Sequence, residues 1–290
     1  ESMTIFLQNL INGTISGSYY AVLGVGLTVT WGVLKMINVA HGDFYMLGAY
    51  FFYTLSKMLG MPVLISLLIA VAGVFLCGMV IERVVLAPSL GRGKFGDTPF
   101  ILTLAIGIML ENIAQLVWGE TNVGVPYFSD AIYEIGGITM AAQRLIVAAV
   151  AIVTLIVVMY VIKKTKFGWA ISATAQDIFA ANLMGICTKR IYMITFGIAV
   201  ALCAVAGCLL APIYGINPWM GGSIQLKSFV VCIVGGLGSI GGSIVAGILL
   251  GIIESFATQF LGSGWQNVIA YALVIVMFWV KPTGLFGKKE

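Results

Sequence analysis

Long apolar stretches that are almost free of charge limit the folds that this sequence can adopt. A helix that crosses a lipid bilayer needs about 20 mostly apolar residues. Two short stretches and an interrupted one, 44–56, 265–280 and 229–256, are candidates. Five stretches meet the requirement fully: 5–34, 62–81, 99–118, 145–162 and 191–211. We predict an all-α fold, a polytopic transmembrane helical bundle of about 7–8 membrane segments.

The composition leaves little material for a domain outside the membrane. Of the 290 residues, 60% are hydrophobic and 9% are charged. Soluble globular domains carry about 25% charged residues, so this chain could not cover a surface exposed to water. We therefore expect one transmembrane domain over residues 1–290.

The distribution of basic residues predicts the orientation of the chain. Lysines and arginines concentrate in the connections 83–97 and 163–190 and in the tail 281–290. Such residues favour the cytoplasmic side of a membrane. The connection 119–143 carries acidic residues and no basic one, so we place it outside, together with the N-terminus and 212–228. This rule also accounts for the net charge of +4, and no nucleic-acid partner is expected.

A glycine-rich interruption divides the stretch 229–256. A single crossing there would deliver the basic tail to the outside, so we predict that 229–237 enters and 243–257 returns to the same side. Backbone that is not helical at membrane depth is tolerated where it is buried in protein or lines a watery cavity. Close helix packing is the other explanation for these glycines. Both remain open for the path candidates Gly235, Gly236, Gly238 and Gly241.

Polar residues inside apolar stretches are the other candidates for a translocation path. They are costly in lipid and usually face a bundle or a cavity. Asn38 and His41 precede the stretch 44–56, where they could either bond to irregular backbone or line the path. Structural pairing and contact with a solute are equally open for the set in 99–118: Glu111, Asn112 and Gln115. Glu254, placed near the outer interface, is expected to be an interfacial or intersubunit carboxylate, with a role in the path as the alternative.

No catalytic grouping is present in the sequence. The chain has a single histidine, its five cysteines form no CxxC pair, and no glycine-rich phosphate loop is followed by Lys-Ser/Thr. We expect neither an enzyme nor a metal site, and no cofactor bound by this chain. A membrane enzyme is therefore the weakest of three functional hypotheses. The others are a transport subunit driven by a partner and a self-sufficient secondary transporter or channel for a small polar solute.

The connection 163–190 has the spacing of short helices and many small residues. A surface rich in alanine lets another protein approach closely, so a cytoplasmic partner is one hypothesis for this segment. An amphipathic helix that lies on the membrane surface is the alternative.

Three blocks of the sequence resemble a known family. They are Gly32–Tyr50, with Asn38, His41 and Gly42 in MINVAHGD; Ala173–Ile186; and Gly235–Gly242 leading to Glu254. In this order they resemble the inner-membrane permeases of branched-chain amino acid ABC importers, a group that also includes urea and short-chain amide permeases. The resemblance covers nearly the whole chain.

The resemblance implies a function and a set of partners. It implies a permease subunit in the bacterial inner membrane that translocates branched-chain or related small polar amino acids. A second permease, identical or homologous, two cytoplasmic ATPases that bind ATP and Mg²⁺, and an external solute-binding protein would complete the importer. The segment that couples to the ATPases would contain Asp177, Ala180, Ala181 and Gly185. Phe179 stands where many ABC permeases carry an acidic residue.

Overall fold

The structure, a computed structural model, describes residues 2–90, 98–135 and 138–287. Arg92, Lys94, Lys288 and Lys289, which contribute to the predicted orientation, lie outside these residues. The helices are α1 (Ser2–Leu34), α2 (His41–Tyr53), α3 (Val63–Ile81), α4 (Ala87–Leu90), α5 (Thr98–Trp118), α6 (Ala142–Lys164), α7 (Lys166–Gln176), α8 (Ile178–Leu183), α9 (Thr188–Tyr214), α10 (Gly221–Gly235), α11 (Ile240–Leu261) and α12 (Gln266–Val280). π-Helical turns at Thr54–Met58 and Glu82–Leu86 extend α2 and α3.

The prediction of an all-α membrane bundle is confirmed. Within the described residues, seven helical segments are long and apolar enough to cross a membrane, and α10 is a shorter apolar helix. One small element was not predicted: the strands β1 (Ile132–Ile135) and β2 (Ile138–Ala141) form an antiparallel hairpin in the acidic connection. Four residues per strand with mixed polarity are too weak a pattern to be recognised in a sequence of this kind.

The glycine-rich interruption is also confirmed. Helix α10 ends at Gly235 and α11 begins at Ile240, and Gly236 and Gly238 between them have φ angles of 100° and 83°. Glycine adopts such angles without the steric cost that a Cβ brings. The start of α10 differs from the prediction, because residues 221–228, expected in an external connection, form its first half. Gln225 and Lys227 lower the apolar character there, but both have partners inside the protein.

The chain divides into two compact units. The first contains residues 1–28, 127–155 and 226–290, and the second contains 29–126 and 156–225. The expectation of one domain over the whole chain stays a prediction. Each unit is described separately below.

In the first unit, α11 packs on α1 through small residues. The backbone of Gly251 lies against Gly17, and that of Gly247 lies against Ala21, so α11 runs antiparallel to α1. The Gly247–Gly251 pair allows this close packing, since a Cβ at either glycine would overlap the backbone of α1.

The tail of the chain meets the glycine-rich turn. The N–H of Leu285 donates to the carbonyl oxygen of Val234 at 2.8 Å, and the N–H of Phe286 donates to that of Gly235 at 3.2 Å. These bonds satisfy two of the carbonyl groups that a helix end leaves open. The interruption therefore lies beside the segment that follows α12. Helices α10 and α11 form a helical hairpin, the arrangement expected if the chain enters the membrane and returns to the same side.

In the second unit, α2 is buried among α3, α5 and α9. Gly48 lies against Ala204 of α9, and the ring of Phe44 meets that of Phe196 at 5.9 Å. At the other end of α2, Trp118 of α5 stacks on Tyr50 at 4.7 Å. Nearly every residue of α2 is shielded by protein. This explains why a helix of 13 residues, too short to cross a bilayer alone, is stable there.

Candidate functional site

Helix α2 begins near half the depth of the second unit. The Asp43 carboxylate and the Ala40 backbone lie against Gly107, which stands in the middle of the 21-residue helix α5. Helix α5 is long and apolar enough to cross a membrane, so this contact lies near half the length of a candidate membrane span. Residues 38–43 therefore bring irregular backbone and a helix start to this depth.

The first turn of α10 lies against the start of α2. Gly42 and Gly221 are in contact through their backbones, and a Cβ on either would overlap the other. The Gln225 side chain completes the junction: its Oε1 accepts a hydrogen bond from the N–H of Gly42 at 2.6 Å, and its Nε2 donates to the carbonyl oxygen of Asn38 at 3.1 Å. Two helices thus start at one point of this unit, and a buried amide satisfies the backbone between them.

Asn38 and His41, both predicted from the sequence, belong to this junction. Oδ1 of Asn38 accepts from the N–H of Ala40 at 3.1 Å, while its Nδ2 is buried and has no hydrogen-bond partner within the described part of the chain. The His41 ring is fully buried and lies 3.1 Å from Sγ of Cys203 in α9. Bonding to irregular backbone, one of the two expected roles, is therefore observed for Asn38.

Two acidic residues belong to the surroundings of the junction. Asp43 is 9% exposed and lies against Gly107, and Glu111 stands one turn beyond Gly107 on α5. Neither forms an ion pair with a described residue. The sequence argument included Glu111 but missed Asp43, although an acid beside an apolar stretch was a usable signal. Nothing in the sequence pointed to Gln225.

The remaining path candidates lie elsewhere. Asn112 is exposed and donates to the carbonyl oxygen of Ile108 in its own helix, and Gln115 is half-buried one turn after Glu111. Asn38 and His41 belong to the second unit, whereas the glycines of the turn belong to the first: Gly235, Gly236, Gly238 and Gly241. Their role in a path stays a prediction. The described residues contain no group of three or more His, Cys, Asp or Glu that could hold a metal ion.

The segment 163–190 folds into the two short helices α7 and α8. Asp177 caps α8, since its Oδ1 accepts from the N–H groups of Phe179 and Ala180 at 2.8 and 3.0 Å. After α8 the chain turns at Gly185, whose φ angle is 84°. Within α8, Ala181 is buried and Ala180 is exposed, so only one of the two alanines is available to a partner.

Large apolar side chains cover the outer face of α8. Phe179, Leu183 and Met184 are 73%, 72% and 83% exposed. We call these three residues the α8 surface. Large exposed apolar residues that lie together are typical of a site for a protein partner or for a membrane surface.

The fold and the junction define a multi-pass membrane protein with interrupted helices, a class that is typical of transporters. The comparison with known families is specific. The model of the family described as "Branched-chain amino acid transport system / permease component" matches residues 9–278, and the chain belongs to this family.

Individual relatives are similar over most or all of this chain. The high-affinity branched-chain amino acid transport system permease protein LivH of Salmonella typhimurium is 32% identical, with 100% of this chain and 98% of LivH covered. BraD of Pseudomonas aeruginosa, a permease protein of the same description, is 31% identical over 98% of this chain and 97% of its own. LivM of Escherichia coli is 27% identical over 92% of this chain and 67% of its own.

One solved structure supports the fold. PsaBC from Streptococcus pneumoniae, in complex with a Fab, aligns with a TM-score of 0.52 over 97% of this chain and 94% of that chain. At 15% sequence identity this similarity concerns the fold alone.

Proposed function

We propose that this chain is a permease subunit of an ABC importer for branched-chain or related small polar amino acids in a bacterial inner membrane. Family membership over residues 9–278 carries the proposal. The relatives LivH, BraD and LivM are named as permease proteins of branched-chain amino acid transport systems, which supports the substrate class.

The junction of α2 and α10 supports a path through the second unit. Interrupted helices expose backbone groups at mid-depth, where a passing solute can exchange its water for protein contacts. Asn38 contributes an unused buried donor, and Asp43 and Glu111 contribute carboxyl oxygens. A zwitterionic amino acid carries the complementary groups, an ammonium for the carboxylates and a carboxylate for the amide.

Membership of the permease family supports a set of partners. We expect two partner ATPases to bind ATP and Mg²⁺ and this chain to bind no cofactor, in agreement with a sequence that has no phosphate-binding loop. We infer that these subunits dock on the α8 surface, whose apolar side chains would lose their contact with water. A second permease completes the pore, consistent with the similarity to both LivH and LivM, and an external binding protein delivers the solute.

Transport in proteoliposomes tests the proposal. The purified complex of both permeases and ATPases is reconstituted with ATP on the ATPase side and with binding protein and labelled leucine on the other. Uptake of leucine that requires ATP hydrolysis is expected, and an ATPase variant that binds but does not hydrolyse ATP is the control. Uptake that follows an ion gradient without ATP would instead support a secondary transporter.

A further inference from the structure

A buried ion pair joins three helices of the first unit. Nζ of Lys227 in α10 lies 2.9 Å from Oε2 of Glu254 in α11. The hydroxyl group of Tyr20 in α1 donates to the same Oε2 at 2.7 Å and accepts from Nζ of Lys227 at 2.6 Å. The ammonium also lies 4.9 Å from the centre of the Tyr20 ring, a cation–π distance. Over residues 2–90, 98–135 and 138–287 this is the single ion pair, and we call it the α10 clasp.

Stability alone does not account for the α10 clasp. Removing two charges from water is costly, and apolar residues of similar volume often replace a buried ion pair without loss of stability. The helices behind the clasp already pack backbone to backbone, as at Gly17 and Gly251. Buried charges that the packing does not need are candidates for a function.

The α10 clasp is incomplete. Oε1 of Glu254 is buried and has no hydrogen-bond partner within the described residues, although Oε2 of the same carboxylate accepts two bonds. An unused acceptor in a buried site is normally avoided because it costs free energy. The free oxygen offers the Lys227 ammonium a second position, displaced by the separation of the two oxygens of one carboxylate.

Glycines lie at both ends of the short helix α10. It has 15 residues, begins with Gly221 and Gly222, and is followed by Gly236 and Gly238, both with positive φ angles. Residues that absorb backbone rotation at the ends of an element are typical of hinges.

We propose that Lys227 and Glu254 are positioning residues for transport, which keep α10 attached to α11 in two positions. Nζ of Lys227 moves from Oε2 to Oε1 of Glu254 as α10 shifts, so the charges stay paired during the movement. Breaking the pair instead would leave isolated charges in a medium of low dielectric constant. The inference rests on the proposed function, since it assumes a transport cycle.

The variant Lys227→Arg tests the free oxygen directly. A guanidinium group binds both oxygens of a carboxylate at once, which would hold α10 in one position. We expect a complex that assembles normally, with an unchanged or higher melting temperature, and ATP-driven leucine uptake that is lower by about fivefold or more. A pair that only stabilises the fold predicts normal uptake in this variant, and that result would overturn the proposal.

The double variant Lys227→Met/Glu254→Leu is the second test. It removes both charges and keeps similar volumes, so assembly should persist while uptake is lost. Normal uptake would contradict the proposal, and so would failure of both variants to assemble, because the pair would then be required for folding. Absence of ATP-driven uptake in the wild-type complex would instead contradict the proposed function, whereas wild-type uptake with active variants rejects this inference alone.

Discussion

Gln225 and Gly42 are 183 residues apart in the sequence and are joined by a hydrogen bond of 2.6 Å from the Gly42 N–H to the Gln225 Oε1. The other end of the same amide donates to the carbonyl oxygen of Asn38. A buried side chain of α10 thus satisfies two backbone groups that the irregular start of α2 leaves open. Without the Gln225 side chain, both backbone groups would be buried with no hydrogen-bond partner, which costs free energy.

The variant Gln225→Leu should destabilise the permease. It leaves the N–H of Gly42 and the carbonyl of Asn38 unpaired, at a cost of about 1–3 kcal/mol for each group. We expect a lower melting temperature of the purified protein in detergent. Gln266→Leu is the matched control, since Gln266 is half-buried and donates to a side-chain hydroxyl group, that of Thr258. Equal melting temperatures for the two variants would show that the junction does not depend on this amide.

Adjacent glycines at the start of α11 should respond differently to a methyl group. A Cβ at Gly242 would overlap the carbonyl oxygen of Gly235, whereas a Cβ at Gly241 has no neighbour within 4 Å. Overfilling a packed contact costs about 1–3 kcal/mol, so Gly242→Ala should lower the melting temperature. Gly241→Ala should leave it unchanged or raise it, because alanine is the better helix former. A similar decrease in melting temperature for both variants would mean that the conformation of the turn, rather than the packing against Gly235, is sensitive to substitution.

The native cysteines provide a test of orientation. Cys187, after α8, is exposed, while Cys203, Cys208 and Cys232 are buried and Cys77 is half-buried. An impermeant maleimide should therefore label the wild type in inside-out vesicles and not in intact cells, and Cys187→Ser should abolish the signal. Adding Asp130→Cys, at an exposed position of the acidic connection, should produce labelling of intact cells. Labelling of Cys187 from outside would reverse the predicted topology.

The α8 surface should be required for binding of the ATPases. Phe179→Asp places a charge on an exposed apolar side chain, so we expect co-purification of the ATPases to fall by about fivefold or more, with little change in the stability of the permease. Gln176→Asp, an exposed polar residue of α7, is the control. Ala181→Arg should behave differently: Ala181 is 3% exposed, so this change should destabilise α8 itself. Normal association of Phe179→Asp would place the docking surface elsewhere.

Local properties of the chain could be predicted from the sequence. Apolar stretches determined the membrane helices, because each must satisfy its own backbone hydrogen bonds and match the thickness of the bilayer. The glycines at 235–242 indicated the interruption for two reasons. Glycine is favoured at positive φ angles, and a cytoplasmic position of the basic tail requires that the stretch 229–256 cross the membrane an even number of times. Asn38 and His41 pointed to irregular backbone because polar side chains beside an apolar stretch are costly in lipid unless they are paired.

The contacts between distant segments were decided only by the tertiary structure. The sequence placed Lys227 in an external connection. In the structure it is paired with Glu254, 27 residues later, and with Tyr20, 207 residues earlier. Whether a charge or an amide is tolerated at depth depends on the partners that packing supplies, and a partner's sequence position carries no local signal. The apolar pattern therefore determined which segments are helices, while the paired and unpaired polar groups between them were determined by the way those helices pack.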